Sequence, residues 1–168
     1  MAAGLGATLL ALSGTALVTP ATAAQQRAAA APTGDYCANA EQLYGGGQYT
    51  YGRAQVCLRF GSGGNQVVVK SSEAQYYWGN AWYYASSDYP VNWNASGTVS
   101  KSGQSGSYSV RLQQPGRSGS AASNPLAALN GCGSYSVTMT FHQNGPYWTD
   151  SSNDIDSGQR SYQISVPC

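Results

Sequence analysis

Chemistry needs an acid, a base or a nucleophile held in register with a partner, and this chain offers few candidates. His142 is the one histidine among 168 residues. It falls on the outward side of an alternating run, and Asp150, Asp154 and Asp156 follow it closely enough to suggest a Ser-His-Asp grouping. No Gly-x-Ser-x-Gly elbow accompanies them, and serine is so abundant that such pairings arise by chance. Glu41 and Glu73 are the only glutamates, and both fall in loop or edge surroundings rather than as a spaced glycosidase pair. The stretch from Asp150 to Asp156 clusters oxygen ligands as a calcium loop would. Its spacing departs from the EF-hand pattern and lacks the closing glutamate, so it reads as a solvated hairpin loop. Cys37, Cys57, Cys132 and Cys168 lack zinc spacing and are expected to form disulfides. These residues predict no enzyme, no metal and no cofactor.

Binding is where the composition is informative. Residues 75–93 concentrate Tyr76, Tyr77, Trp78, Trp82, Tyr83, Tyr84, Tyr89 and Trp93 in one short span. Read as one long bulged strand, period two places Tyr76, Trp78, Trp82 and Tyr84 on a core face and leaves Tyr77 and Tyr83 to meet solvent or a partner. A hairpin turning at Gly79-Asn80 is the alternative. Tyr77, Tyr83, Tyr89 and Trp93, with Tyr147 and Trp148, are the candidate surface aromatics. Charged residues are scarce, and 8 Lys+Arg against 7 Asp+Glu leave a net charge of +1 without a basic stripe, which disfavours nucleic acid. Polarity comes from Ser, Gly, Asn, Gln and 13 Tyr, a mixture that supplies rigid amphipathic contact area and adaptable hydrogen bonds. Asn94-Ala95-Ser96 matches a glycosylation acceptor.

The elements that must position these residues follow in chain order. The apolar run 5–18 and the small residues after it read as a signal peptide over 1–24, too short for a membrane span, so the mature protein is expected to be secreted and soluble. Residues 25–34 carry no bulky apolar side chain and predict a flexible arm. Residues 35–168 form a single disulfide-stabilised β domain, with one helical turn expected over 39–44. In the run 53–60, Ala54, Val56, Leu58 and Phe60 face a core while Arg53, Gln55, Cys57 and Arg59 face away. Cys57, opposite the core, is suited to bridge the covering N-terminal segment through Cys37. Further strands are expected at Val67–Val69, 97–101, 107–113, 134–142 and 161–166, with a short helix over 126–129. Cys132 and Cys168 flank the last two strands and are paired with each other, although four cysteines allow three connectivities. The fold expected is an all-β antiparallel sandwich, immunoglobulin-like or related, with two disulfides and at most one or two short helices.

A signal sequence, a short Ala/Pro arm at 25–34 and a compact disulfide-bearing β domain at 35–168 together resemble the small adaptor subunit of the umbrella toxins secreted by filamentous soil bacteria. The resemblance implies a protein with no enzymatic role. It implies an adaptor that ties a lectin-like subunit to a repeat-bearing toxin subunit, with an extended N-terminal segment entering the lectin-like subunit's cleft. Residues 27–33, including Arg27, Ala30, Pro32 and Thr33, would be that segment. Without the resemblance, a carbohydrate- or cell-wall-binding module is the other reading, one that stacks exposed rings on sugars. No cysteine-flanked reactive loop suggests a protease inhibitor.

Overall fold

The computed structural model describes residues 31–145 and 151–168. Ten strands make up two antiparallel sheets. The first sheet holds β1 (Gly34–Cys37), β2 (Glu41–Tyr44), β3 (Thr50–Phe60), β4 (Gln66–Trp78), β5 (Ala81–Tyr84) and β8 (Gly119–Ala122). Its path runs β1-β3-β4-β5, with β2 also pairing β3 and β8 also pairing β4. The second sheet, built from β6 (Val91–Lys101), β7 (Gln104–Gln114), β9 (Gly133–Gln143) and β10 (Ile155–Val166), has the order β10-β9-β6-β7.

Alternation in sequence becomes alternation between core and solvent, because successive side chains of a strand point to opposite faces. Ala54, Val56, Leu58 and Phe60 of β3 and Val67 and Val69 of β4 are buried. They pack with Tyr135, Val137, Met139 and Phe141 of β9 and with Trp93, Ala95 and Val99 of β6 in one cluster. Phe60 meets Tyr135 at 6.0 Å between ring centroids, and Trp93 meets Phe141 at 5.6 Å. Each large side chain so buried contributes about 1.5–3 kcal/mol before entropy is counted. This is the antiparallel sandwich that the alternation predicts.

Both expected disulfides form, Cys37 to Cys57 and Cys132 to Cys168. Cys37 and Cys57 are register partners of β1 and β3, on the face away from the core. The second bridge fastens the C-terminal end of β10 beside the start of β9, where Val166 pairs Gly133.

Two expected helices are absent. Residues 39–44 do not turn: Leu43 is buried and β2 pairs residue for residue with β3, so sheet pairing overrides the local helix signal. The helical turn comes later, as a 3-10 turn at Gly46–Gln48. At 126–129 a single hydrogen bond from Leu129 N to Leu126 O closes an isolated turn. Its two ends are held from outside, by Asn65 O accepting from Leu126 N and by Asn65 Nδ2 donating to Leu129 O. A segment with both termini satisfied elsewhere gains little by continuing as helix.

The expected signal peptide at 1–24 and Arg27 and Ala30 of the expected arm lie outside the described residues. The end of the arm is not loose as expected. Ala31 packs against the core cluster, Tyr36 Oη donates to Pro32 O at 3.0 Å, and Gly34 opens β1 opposite Phe60. Residues 31–34 of the expected arm are thus held against the β domain. Among the described residues no helix is long and apolar enough to cross a membrane.

Candidate functional site

Gly79 and Asn80 adopt φ of 54° and 71°, the left-handed pair of a type I′ turn, and join β4 to β5 as a hairpin. The register pairs Trp78 with Ala81, Tyr77 with Trp82, Tyr76 with Tyr83 and Gln75 with Tyr84. A two-residue turn reverses parity, so even numbers in β4 share a face with odd numbers in β5. The single-strand reading placed Trp78, Trp82 and Tyr84 in the core beside Tyr76, and this is corrected: Tyr76 is buried, whereas those three are 59%, 41% and 44% exposed. Tyr77 and Tyr83, expected on one surface, lie on opposite faces of the hairpin. Tyr89 is exposed in the loop after β5, where Ser86 Oγ accepts from Tyr89 N at 3.2 Å. Trp93 is not a surface residue. It is 2% exposed on the inward side of β6, and its Nε1 donates to Gln114 Oε1 at 2.8 Å. Tyr147 and Trp148 lie outside the described residues.

The rings that do converge occupy the outer face of the first sheet at the hairpin end. Tyr44 pairs Tyr51, Tyr51 pairs Gln75 and Gln75 pairs Tyr84, so these four form a row straight across four strands. The next row holds Tyr77 and Trp82, with Tyr49 beside them through the hydrogen bond from Tyr77 N to Tyr49 O at 2.8 Å. Ring centroids lie 5.0 Å apart for Tyr44 and Tyr51, 6.2 Å for Tyr51 and Trp82, and 5.5 Å for Tyr77 and Trp82, the last two edge to face. A groove of about 350 Å³ opens here, lined by Tyr44, Gln48, Tyr51, Gln75 and Trp82. Beside it Arg117 lies 4.7 Å over the Tyr84 ring and 3.2 Å from Glu73. Burial, aided by the nearby Glu73 carboxylate, raises the Tyr51 phenol above its ordinary pKa, so the ring stays neutral and able to donate.

Gln48 reaches the groove from a tight turn and is one of few non-glycine residues with positive φ, at 60°. That conformation costs an L-residue about 1–2 kcal/mol and persists only where packing enforces it. The enforcement is visible in Gly45 and Gly46. A Cβ on either would stand 2.0 Å from Asn153 O or 1.8 Å from Ser152 O, so the turn is pressed flat against Ser151–Asn153. Tyr44, Gln48, Tyr49 and Tyr51 were all missed by reasoning from the aromatic stretch alone. The signal was present, since Tyr49 and Tyr51 continue the outward parity of Arg53, Gln55, Cys57 and Arg59.

The residues considered for chemistry are engaged elsewhere. His142 presents Nδ1 to Asp156 Oδ1 at 2.7 Å and Nε2 to Asp154 Oδ2 at 3.5 Å, a clasp between β9 and the start of β10. Asp154 Oδ1 also accepts from Gly145 N at 2.6 Å. Asp150 lies outside the described residues, and among those described no cluster of three or more His, Cys, Asp or Glu could hold a metal ion. Glu41 lies 3.6 Å from Arg160 and Glu73 lies 3.2 Å from Arg117. Register puts the two glutamates on opposite faces of the sheet, opposite Ala54 and Arg53 respectively. Asn94 sits inside the central strand β6, between His142 and Arg111, rather than in a loop. It helps line a larger groove of about 520 Å³ on the second sheet with Asn92, Arg111, Gln113, His142 and Asn144, a polar surface on which no exposed ring stands among the described residues.

Compared with known proteins, the chain matches no family model, no curated protein and no solved structure.

Proposed function

We propose that this protein is a secreted, non-enzymatic adaptor that joins subunits of a multi-protein antibacterial assembly. The observation that carries the reading is the placement of two contact elements at opposite ends of one strand. The arm leads into Gly34 beside Phe60, at the far end of β3, and the aromatic face begins at Thr50 and Tyr51, at its near end. Eleven residues of β3 separate them by about 30 Å at ~3.3 Å per residue. An adaptor needs two surfaces far enough apart for two partners to dock without colliding, and this spacing supplies that. The two disulfides suit an oxidising, extracellular setting.

In this reading the arm, Arg27 and Ala30 with Pro32 and Thr33 at its fixed root, extends into a lectin-like subunit. The aromatic end meets the repeat-bearing toxin subunit, with Tyr and Trp rings as anchors of the kind that dominate interface energies. The test is affinity purification of the tagged mature protein from its native culture supernatant, with mass spectrometry of what co-elutes. Deleting 25–30 should release one partner and the Tyr44→Ala/Trp82→Ala pair should release a different one. Recovery of the wild-type protein alone would sink the adaptor reading.

A further inference from the structure

We infer that the groove between Tyr44 and Trp82 is a binding site for a neutral saccharide, a pyranose chain with equatorial hydroxyls such as a β-1,4-linked glucan or chitin. This departs from the adaptor reading at the aromatic end, where the same rings would meet a protein, and it leaves the partner of the arm untouched.

The lining makes the argument. Tyr44, Gln48, Tyr51, Gln75 and Trp82 carry no formal charge, so the groove contains nothing to offset the desolvation of an ionic ligand. The charges that act on Tyr51, Glu73 and Arg53, border the groove without lining it, and Arg117 already serves Glu73 and the Tyr84 ring. Rings and amides remain, and that pair of chemistries matches two different aspects of one sugar. A pyranose with equatorial hydroxyls presents C–H groups on its two faces and hydroxyls around its edge. The half-exposed rings of Tyr44 and Trp82 offer apolar, polarisable surface to the faces, and Tyr51 stands between them. Gln48 and Gln75 each bring a donor and an acceptor side by side, which suits vicinal hydroxyls at the edge. The strained backbone of Gln48 fits this role, because it sets the direction in which that side chain leaves the turn toward the groove. A volume of about 350 Å³ lies at the small end of the range for ligand sites, roughly 300–1,000 Å³, and the groove is open to solvent, so a chain can run past it.

The experiment measures retention of the mature protein on insoluble cellulose and chitin and calorimetric titration with cellohexaose and chitohexaose. Wild type should bind at least one of these polymers and its soluble fragment. Trp82→Ala should weaken binding about 10-fold or more, the usual scale for losing a ring anchor. Gln48→Ala and Gln75→Ala should weaken it several-fold, whereas Trp78→Ala, on the other face of the hairpin, should bind as wild type does. Circular dichroism on each variant confirms folding. Protein co-purification scored on the same variants separates the two readings, because an interface anchored by rings tolerates loss of the Gln48 and Gln75 amides. Passage of wild type through both resins with no heat on titration would overturn the saccharide site, as would equal losses in Trp78→Ala and Trp82→Ala.

Discussion

At the scale of single residues, Trp82 and Trp93 show that the same side chain serves opposite ends according to strand parity. Trp93 fills the core against Phe141 and satisfies Gln114 Oε1. Replacing it by alanine should cost about 3–5 kcal/mol of folding stability through the cavity and the orphaned acceptor. Trp82→Ala removes a half-exposed ring and should change stability by less than about 1 kcal/mol. Urea denaturation distinguishes the two, and equal losses would mean that Trp82 is structural. Asp35 makes a second prediction, this one about pH. Its carboxylate accepts from Arg59 Nε at 2.7 Å and Lys70 Nζ stands 3.0 Å away. The Arg59 hydrogen bond, with Lys70 assisting and partial burial opposing, holds its pKa down to about 2 from 3.8. A depressed carboxylate stabilises the fold above its ordinary pKa and loses that contribution as pH falls through the folded value. Asp35→Asn should therefore be less stable than wild type at pH 6, by at most about 1 kcal/mol for so accessible a cluster, and the gap should close between pH 4 and 2. Denaturation midpoints across that interval decide it. A gap that persists unchanged at pH 2 would assign the loss to packing.

At the scale of elements, legibility followed how local the determining interaction is. The alternation in 53–60, 134–142 and 161–166 predicts the right inward residues because each of those strands is read against one core. The disulfides followed from parity and flanking position in the same way. The stretch 39–44 failed because nothing in Glu41-Gln42-Leu43-Tyr44 itself announces that β3 will pair with it. The aromatic stretch failed largely through one undecided turn: with Gly79-Asn80 as a hairpin, Trp82, Tyr83 and Tyr84 change face. That turn carries an element-scale prediction. Both positions need positive φ, and Asn pays less for it than other non-glycine residues. Asn80→Ala should destabilise by about 1 kcal/mol, and exchanging the pair for Asn-Gly should stabilise slightly, since that order is the favoured type I′ sequence. Thermal unfolding of the two variants checks both signs. Stabilisation by Asn80→Ala would mean that the turn is not type I′ in solution.

At the scale of the whole molecule, the groove on the first sheet depends on a junction with the second. Gly46 N donates to Asp154 O at 3.4 Å, and Asp154 in turn faces His142 on β9 and accepts from Gly145 N. Gly45 and Gly46 lie too close to the Ser152 and Asn153 carbonyls to admit any side chain. The turn that delivers Gln48 is thus positioned by the 151–154 connection of the opposite sheet as well as by its own strands, so the parity of Tyr49 and Tyr51 marks the face but no local pattern places Gln48. Gly46→Ala tests this dependence. A Cβ placed 1.8 Å from a backbone oxygen cannot be relieved by a rotamer change, so the two turns must separate, at about 1–3 kcal/mol. Amide chemical shifts should then move in both turns and at His142, while core amides of β6 and β9 such as Val99 and Val137 stay in place. Shifts confined to 45–48 would mean that the first sheet holds its own turn. Shifts reaching His142 would establish that the two sheets set the position of Gln48 together.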